Sequence, residues 1–280
     1  FVRGDFSGGF LHAGVSELSM ACIMNGMALH GGIIPVCGTF FVFSDYMKPA
    51  FRMSALMGLQ VIYVWTHDAF RVGEDGPTHQ PVEQELQVRL MEAMKNHQGK
   101  NSMLVLRPAD EAETTVAWQM ALENTDTPTG LILSRQNVTS LPRPEHRYQH
   151  ALQAKQGAYI VKDAPNFDVS LVACGSEVAT LMAATTLLEG RKGLKVRVVS
   201  IPSEGLFFTQ PEAYRESVLD SRKPIFGLTA GLPMTLQRTV GLRGRVFGLE
   251  HFGYSAPYAV LDEKFGFTAE NIYEQVLKYL

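Results

Sequence analysis

The chain has 280 residues, 46% of them hydrophobic and 19% charged, with 25 Gly, 14 Pro and a net charge of −3. At roughly 100–200 residues per domain, that length holds one large or two medium domains with a buried core, and the composition excludes a disordered or fibrous chain. A slightly acidic balance without long Lys/Arg runs argues against a nucleic-acid reader held by phosphate contacts.

Short β-branched runs alternate with longer helical patterns, the order expected of parallel sheets between helices. The first block reads as helix Val15–Leu29, strand-like segment Ile33–Phe43, helix Ser44–Met57, strand Val61–Trp65, a loop to Pro81, helix Val82–Lys95, strand Ser102–Leu106, helix Asp110–Glu123 and strand Gly130–Leu133. Ser140–His150, rich in proline and charge and without periodicity, reads as a linker. The second block reads as strands Ala158–Lys162 and Val169–Cys174, helix Glu177–Glu189, strand Lys195–Ser200, helix Glu212–Val218, strand Pro224–Leu228, helix Pro233–Val240, strand Val246–Leu249 and an amphipathic helix Ala269–Leu280. The fold class is therefore α/β, with two parallel or mostly parallel sheets, divided as 1–139, a linker at 140–156, and 157–280.

Cys22, Cys37 and Cys174 are odd in number and widely spaced, so neither a disulfide framework nor a CxxC metal site is expected, and a reducing, cytoplasmic setting fits. No stretch of about 18 apolar residues announces a membrane span. The start at Phe1 lacks Met and a signal-peptide pattern, and reads as a cut or processed end with part of the protein missing. Arg3-Gly4-Asp5 reads as a chance tripeptide, Asn137-Val-Thr139 as a glycosylation acceptor only if secreted, and Val2–Gly9 lacks the spacing of a phosphate loop.

Chemistry concentrates in Thr66–Pro81, which follows a buried strand, where ligands bind in open α/β sheets. His67, His79 and three acidic groups held by Gly73, Gly76, Pro77 and Pro81 make either a polar rim suited to proton transfer and hydroxyl binding or a plain surface turn. A metal site from His67, Asp75 and His79 matches no ligand spacing. Glu17 opens an apolar helix, either as a helix-start carboxylate or as a carboxyl in a hydrophobic wall that holds a proton against a heterocycle nitrogen. Phe40, Phe41, Phe43 and Tyr46 form an aromatic series open to a core or a pocket role, and Met20, Met24 and Met27 read as gap-filling core.

His12-Ala-Gly-Val-Ser-Glu17, Leu29-His-Gly-Gly32, Gly38–Phe43 with Tyr46, Tyr63–Asp68, Gly73-Glu-Asp-Gly-Pro-Thr-His-Gln-Pro81, Arg107-Pro-Ala-Asp110 and Leu133–Asn137 together resemble transketolases. Gly175–Val178, Ser200–Ser203 and Phe252-Gly-Tyr-Ser-Ala-Pro257 continue the likeness, so it spans essentially the whole chain, as a pyrimidine-binding domain followed by a C-terminal domain. The resemblance implies transfer of a two-carbon ketol group from a ketose phosphate to an aldose phosphate, in the pentose phosphate pathway, with thiamine diphosphate as cofactor. Glu17 would hydrogen-bond N1′ of the aminopyrimidine, and Phe40, Phe43 and Tyr46 would enclose that ring. His79 would bond the donor's carbonyl oxygen, Asp75 would read the acceptor's C2 hydroxyl, and His67 with Arg135 would grip the sugar phosphate.

The family's diphosphate-binding domain, with the Mg²⁺ or Ca²⁺ it holds, has no counterpart in these residues, so the resemblance also implies a fragment or a subunit of a split enzyme that needs that domain, in a homodimer. Two departures stand out. The stretch Gln84–Arg107 is longer than the family pattern, which would alter a loop near the site entrance, and Thr229 stands where relatives place Glu. Alternatives within the same cofactor chemistry are a deoxyxylulose-phosphate synthase or the beta subunit of a pyruvate-dehydrogenase-type decarboxylase. A non-catalytic scaffold of the same fold is the alternative of another class, and it would be expected to lose Glu17, His67, Asp75, His79 and Arg135.

Overall fold

The computed structural model describes residues 4, 5 and 7–280. Arg3 of the Arg-Gly-Asp tripeptide, and Val2, Arg3 and Phe6 of the Val2–Gly9 segment, lie outside them. The first half runs α1 (Glu17–His30), β1 (Val36–Phe40), α2 (Ser44–Met57), β2 (Ile62–Thr66), α3 (Gln84–Ala93), β3 (Leu104–Leu106), α4 (Glu111–Glu123) and β4 (Thr129–Ile132). Its sheet has the order β1-β2-β4-β3, all parallel. After α5 (Arg147–Ala151) come β5 (Tyr159–Lys162), β6 (Val169–Ala173), α6 (Glu177–Lys192), β7 (Val196–Ser200), α7 (Glu204–Phe207), α8 (Glu212–Val218), β8 (Ile225–Leu228), α9 (Met234–Val240), β9 (Arg245–Phe247), α10 (Tyr258–Phe265) and α11 (Ala269–Tyr279). This second sheet has the order β5-β7-β6-β8-β9, with β5 antiparallel to β7 and the rest parallel.

Parallel strands buried on both faces read as continuous apolar runs, and β6 is buried at every position. In the first sheet Trp65 is fully buried, and its ring lies so close over Gly130 that a Cβ there would come within 2.6 Å of it. Only glycine lets β4 pair beside that indole. Asp110 caps α4, accepting from the Glu113 N–H at 2.9 Å, which is why the acidic first turn opens a helix there.

The structure corrects several expectations. The strand-like segment Ile33–Phe43 is strand only over β1, because Phe41–Phe43 turns into a 3-10 helix that leads directly into α2. The linker is not featureless. It folds into short helical turns pinned by buried Arg147, whose Nε donates to Asp110 Oδ2 at 2.6 Å. Within Gln84–Arg107, the residues between α3 and β3 form a largely exposed turn in which Lys95 bridges to Asn101. That turn precedes β3, at the amino end of the sheet, away from the carboxyl end where the site is built. Helices α7 and α10 were not anticipated.

A buried ionic network joins the halves. Arg71 donates to Glu177 at 2.7 Å and to Asp262 at 2.8 Å, Arg107 pairs with both Asp68 and Glu177, and Arg89 pairs with Glu85 and Glu92. Ser203 of the second half hydrogen-bonds Glu92. Opposite charges alternate through this network, which is the condition under which ions tolerate burial.

Candidate active site

A turn with three residues per revolution stacks side chains at i and i+3. The chain after β1 uses this: Phe40, Phe43 and Tyr46 form a ladder, with Phe40–Phe43 centroids 6.3 Å apart at 13° and Phe43–Tyr46 at 6.0 Å and 21°. Phe41, out of phase with the ladder, is buried against Trp65. Phe40 and Phe43 are half-buried and Tyr46 is 61% exposed, so the ladder is partly open to solvent.

At the end of β2, His67 takes a left-handed backbone conformation (φ 61°), which side chains with a Cβ adopt only when their surroundings hold them there. Two neighbours hold it. Its ring stacks on Phe40 at 3.5 Å, and the next residue, buried Asp68, accepts from Arg107 Nε at 3.0 Å and Nη2 at 2.7 Å. His79 packs edge-on against Phe43 at 5.4 Å and Phe40 at 6.3 Å. Both imidazoles spend Nδ1 on the hydroxyl of the preceding threonine, Thr66 at 2.9 Å and Thr78 at 2.8 Å, which leaves each Nε2 for another partner.

Burial, and then the Arg135 charge, push the His67 imidazole below its ordinary value of 6.5, against the pull of Asp75. Arg135 and Asp75 are therefore close enough to act on His67, and both are exposed. The neutral ring is the form that donates one hydrogen bond while accepting another.

Gly73 (φ 88°) and Gly76 (φ 76°) supply the conformations that fold residues 73–79 back on themselves, with Gly76 N–H on Gly73 O and His79 N–H on Gly76 O. The second half clamps this rim. Buried Gln80 donates through Nε2 to Gly73 O and Tyr254 O, each at 3.0 Å, and Ser255 donates to Glu74 O. A Cβ on Gly253 would fall 1.7 Å from Gln80 Oε1. Gln80, Asp68, Arg107, Gly253 and Ser255 were not singled out as site-shaping residues. Their partners lie far off in sequence, 174 residues away for Gln80 and Tyr254, so spacing carries no signal of them.

The structure thus gathers Phe40, Phe43, Tyr46, His67, Asp75, His79 and Arg135 at the carboxyl ends of β1, β2 and β4. Glu17 stands apart. It is half-buried rather than walled in, at the first turn of α1, and no hydrogen bond or ion pair among the described residues joins it to the histidines. Its helix is fastened to α2 and β2 by Asn25, which donates to Ala50 O at 2.9 Å and accepts from Ser54 and Tyr63. Among the described residues no group of three His, Cys, Asp or Glu could hold a metal ion, and no helix is long and apolar enough to cross a membrane. Thr229 is fully buried and its hydroxyl accepts the Gly231 N–H at 3.2 Å, so it braces the turn after β8.

Comparison with known proteins places this geometry. Residues 2–140 match the family "Transketolase, pyrimidine binding domain" and residues 157–268 match "Transketolase-like TK C-terminal domain". A transketolase of Vibrio parahaemolyticus is 45% identical over 270 residues, covering 96% of this chain and 39% of the relative. The solved transketolase of Leishmania mexicana is 41% identical with a TM-score of 0.82, covering 94% of this chain and 36% of that one. A split-gene transketolase, described as an inactive beta4 tetramer, shares the fold at 24% identity and a TM-score of 0.70, covering 95% of this chain and 82% of that one. The chain therefore spans about two fifths of the length of the curated relatives it matches, and it belongs to the transketolase family.

Proposed function

We propose that this chain supplies the pyrimidine side and the sugar-phosphate side of a thiamine-diphosphate-dependent ketol transferase. The observation that carries the reading is the contiguous surface of Phe40, Phe43, Tyr46, His67 and His79, flanked by Arg135 and Asp75. A flat, half-exposed aromatic ladder fits a heterocycle, and the carboxyl of Glu17, without a protein partner among the described residues, fits a ring nitrogen. Thiamine diphosphate, when bound, supplies a nucleophilic carbon that no side chain here provides. By the family likeness, its diphosphate and its Mg²⁺ or Ca²⁺ belong to a diphosphate-binding segment or subunit.

Each side chain then has one task. Glu17 shares a proton with N1′ of the aminopyrimidine. His79 donates from Nε2 to the donor sugar's carbonyl oxygen, where negative charge grows. Arg135, with its fork of donors, meets the sugar phosphate beside neutral His67, and Asp75 accepts from the acceptor's C2 hydroxyl. We divide the chain into a pyrimidine-binding domain (1–139), a linker (140–156) and a C-terminal domain (157–280), working in the cytoplasm in the pentose phosphate pathway. Leu18, Ile23 and Leu29 of α1 and Met53, Leu56 and Met57 of α2 are exposed apolar side chains, and cover by a second subunit in a homodimer would remove them from water.

The test is reconstitution: the chain is mixed with the diphosphate-binding segment of a relative, thiamine diphosphate and Mg²⁺, and two-carbon transfer from xylulose phosphate to an aldose phosphate is followed. Transfer that disappears in Glu17→Gln supports the reading. Turnover of pyruvate but not of xylulose phosphate moves the chain to a decarboxylase beta subunit, and undiminished transfer in Glu17→Gln removes the role given to Glu17.

A further inference from the structure

The second half contains a cavity of about 530 Å³, within the range of small-molecule sites, that shares no lining residue with the histidine cluster. It opens at the amino end of the second sheet, between α8, α9 and the turns that precede β8 and β9. Five cationic side chains line it, Arg215, Arg222, Lys223, Arg238 and Arg243, against the single carboxylate of Glu216. That excess of positive charge stands out in a chain whose net charge is −3.

Of these five cations only Arg222 forms an ion pair among the described residues, although the Glu204 carboxyl lies close enough to Arg238, and Asp220 to Lys223, to feel their charge. Arg222 pairs with Asp220 at 2.8 Å, and Glu216 is engaged by the N–H and hydroxyl of Ser221. Arg215, Lys223, Arg238 and Arg243 have no ion-pair partner among the described residues. Arg238 lies over the Phe208 ring at 3.8 Å and Arg215 over the same ring at 5.8 Å, so one aromatic ring serves two guanidinium groups of the cavity. Arg215 Nε is buried with no hydrogen-bond partner. A buried donor left unpaired is unfavourable, and so is the crowding of like charges, and an anion with several acceptor oxygens relieves both.

We infer that this cavity is a binding site for a small phosphorylated molecule, separate from the sugar-phosphate rim of the first half. Arg215, Arg238 and Arg243 take the phosphate oxygens through their planar forks, and the apolar wall of Phe207, Leu219 and Ile225 covers the ligand's uncharged part. The concave shape and its size fit a compact metabolite rather than an extended polyanion.

Isothermal titration calorimetry of the chain with inorganic pyrophosphate, and in parallel with inorganic phosphate, tests this. The expected result is one saturable site that weakens about tenfold or more in Arg238→Gln and in Arg243→Gln and is unchanged in Arg135→Gln. Both cavity substitutions are at exposed positions, so folding is preserved, and unchanged thermal midpoints check it. Tighter binding of pyrophosphate assigns a diphosphate group to the ligand, and equal binding a monophosphate. Absence of saturable binding, binding retained in both cavity variants, or binding lost only in Arg135→Gln overturns the inference. Since the sugar-site variant Arg135→Gln is the control, failure here leaves the proposed transferase reading standing.

Discussion

In both Thr-His pairs a hydroxyl occupies Nδ1, which leaves Nε2 of each imidazole for a substrate. A substrate oxygen that gains charge is met there when Nε2 carries the proton. Replacing His79 with Ala is expected to lower kcat/KM about 100-fold in the reconstituted enzyme while leaving the far-ultraviolet dichroism unchanged. The folded value of His67 lies below the unfolded one, so the unfolded chain takes up the proton first. The stability tied to this group is present above the ordinary value of 6.5 and is lost as pH falls through it toward the folded value. An NMR titration should place the inflection of the His67 ring below 6.5. It should move up in Arg135→Gln, which loses a repelling charge, and down in Asp75→Asn, which loses an attracting one. An inflection indifferent to both substitutions would refute the assigned neighbours.

At the scale of elements, the boundaries legible in the sequence are those set by local chemistry. Ser44–Met57 and Glu212–Val218 fall where the helical pattern put them, and Asp110 caps the helix that its acidic turn announced. What stayed hidden depends on contacts far along the chain. Nothing local distinguishes Phe40 in a strand from Phe41–Phe43 in a 3-10 turn, yet that turn stacks the aromatic ladder. The histidines of the candidate site drew notice through the loop after β2, whereas the aromatic series after β1 was open to core or pocket from its sequence and was given a site role by family likeness alone. The Gln80 clamp and the Asp68–Arg107 pair were not legible, because each partner sits on a different element. Removing Arg107 leaves the carboxylate of Asp68 buried without its cation and leaves Glu177 with Arg71 alone, so Arg107→Met is expected to lose about 3–5 kcal/mol in chemical denaturation. Gly253→Ala should act differently. The methyl displaces Gln80, loosening the rim that carries Asp75 and His79, so transfer activity should fall far more than the thermal midpoint.

For the molecule as a whole, charges buried between the two sheets bind their stabilities together. Calorimetry of the chain is expected to record one cooperative unfolding transition, and Arg107→Met should broaden or divide it. The exposed apolar side chains of α1 carry a second expectation. Sedimentation velocity should show concentration-dependent association that weakens in Ile23→Asp, since that side chain is 41% exposed and its replacement disturbs little of the core.

The amide of Gln80, caught between Gly73 and Tyr254, makes the shape of the 73–80 loop partly a property of the other half of the polypeptide. The two halves are consequently poor cassettes for shuffling. A chimera spliced between relatives in the 140–156 stretch would inherit a misfitting hinge unless position 80 travels together with glycine at 253 and serine at 255. Breeders of hybrid enzymes would do better to move the whole span at once.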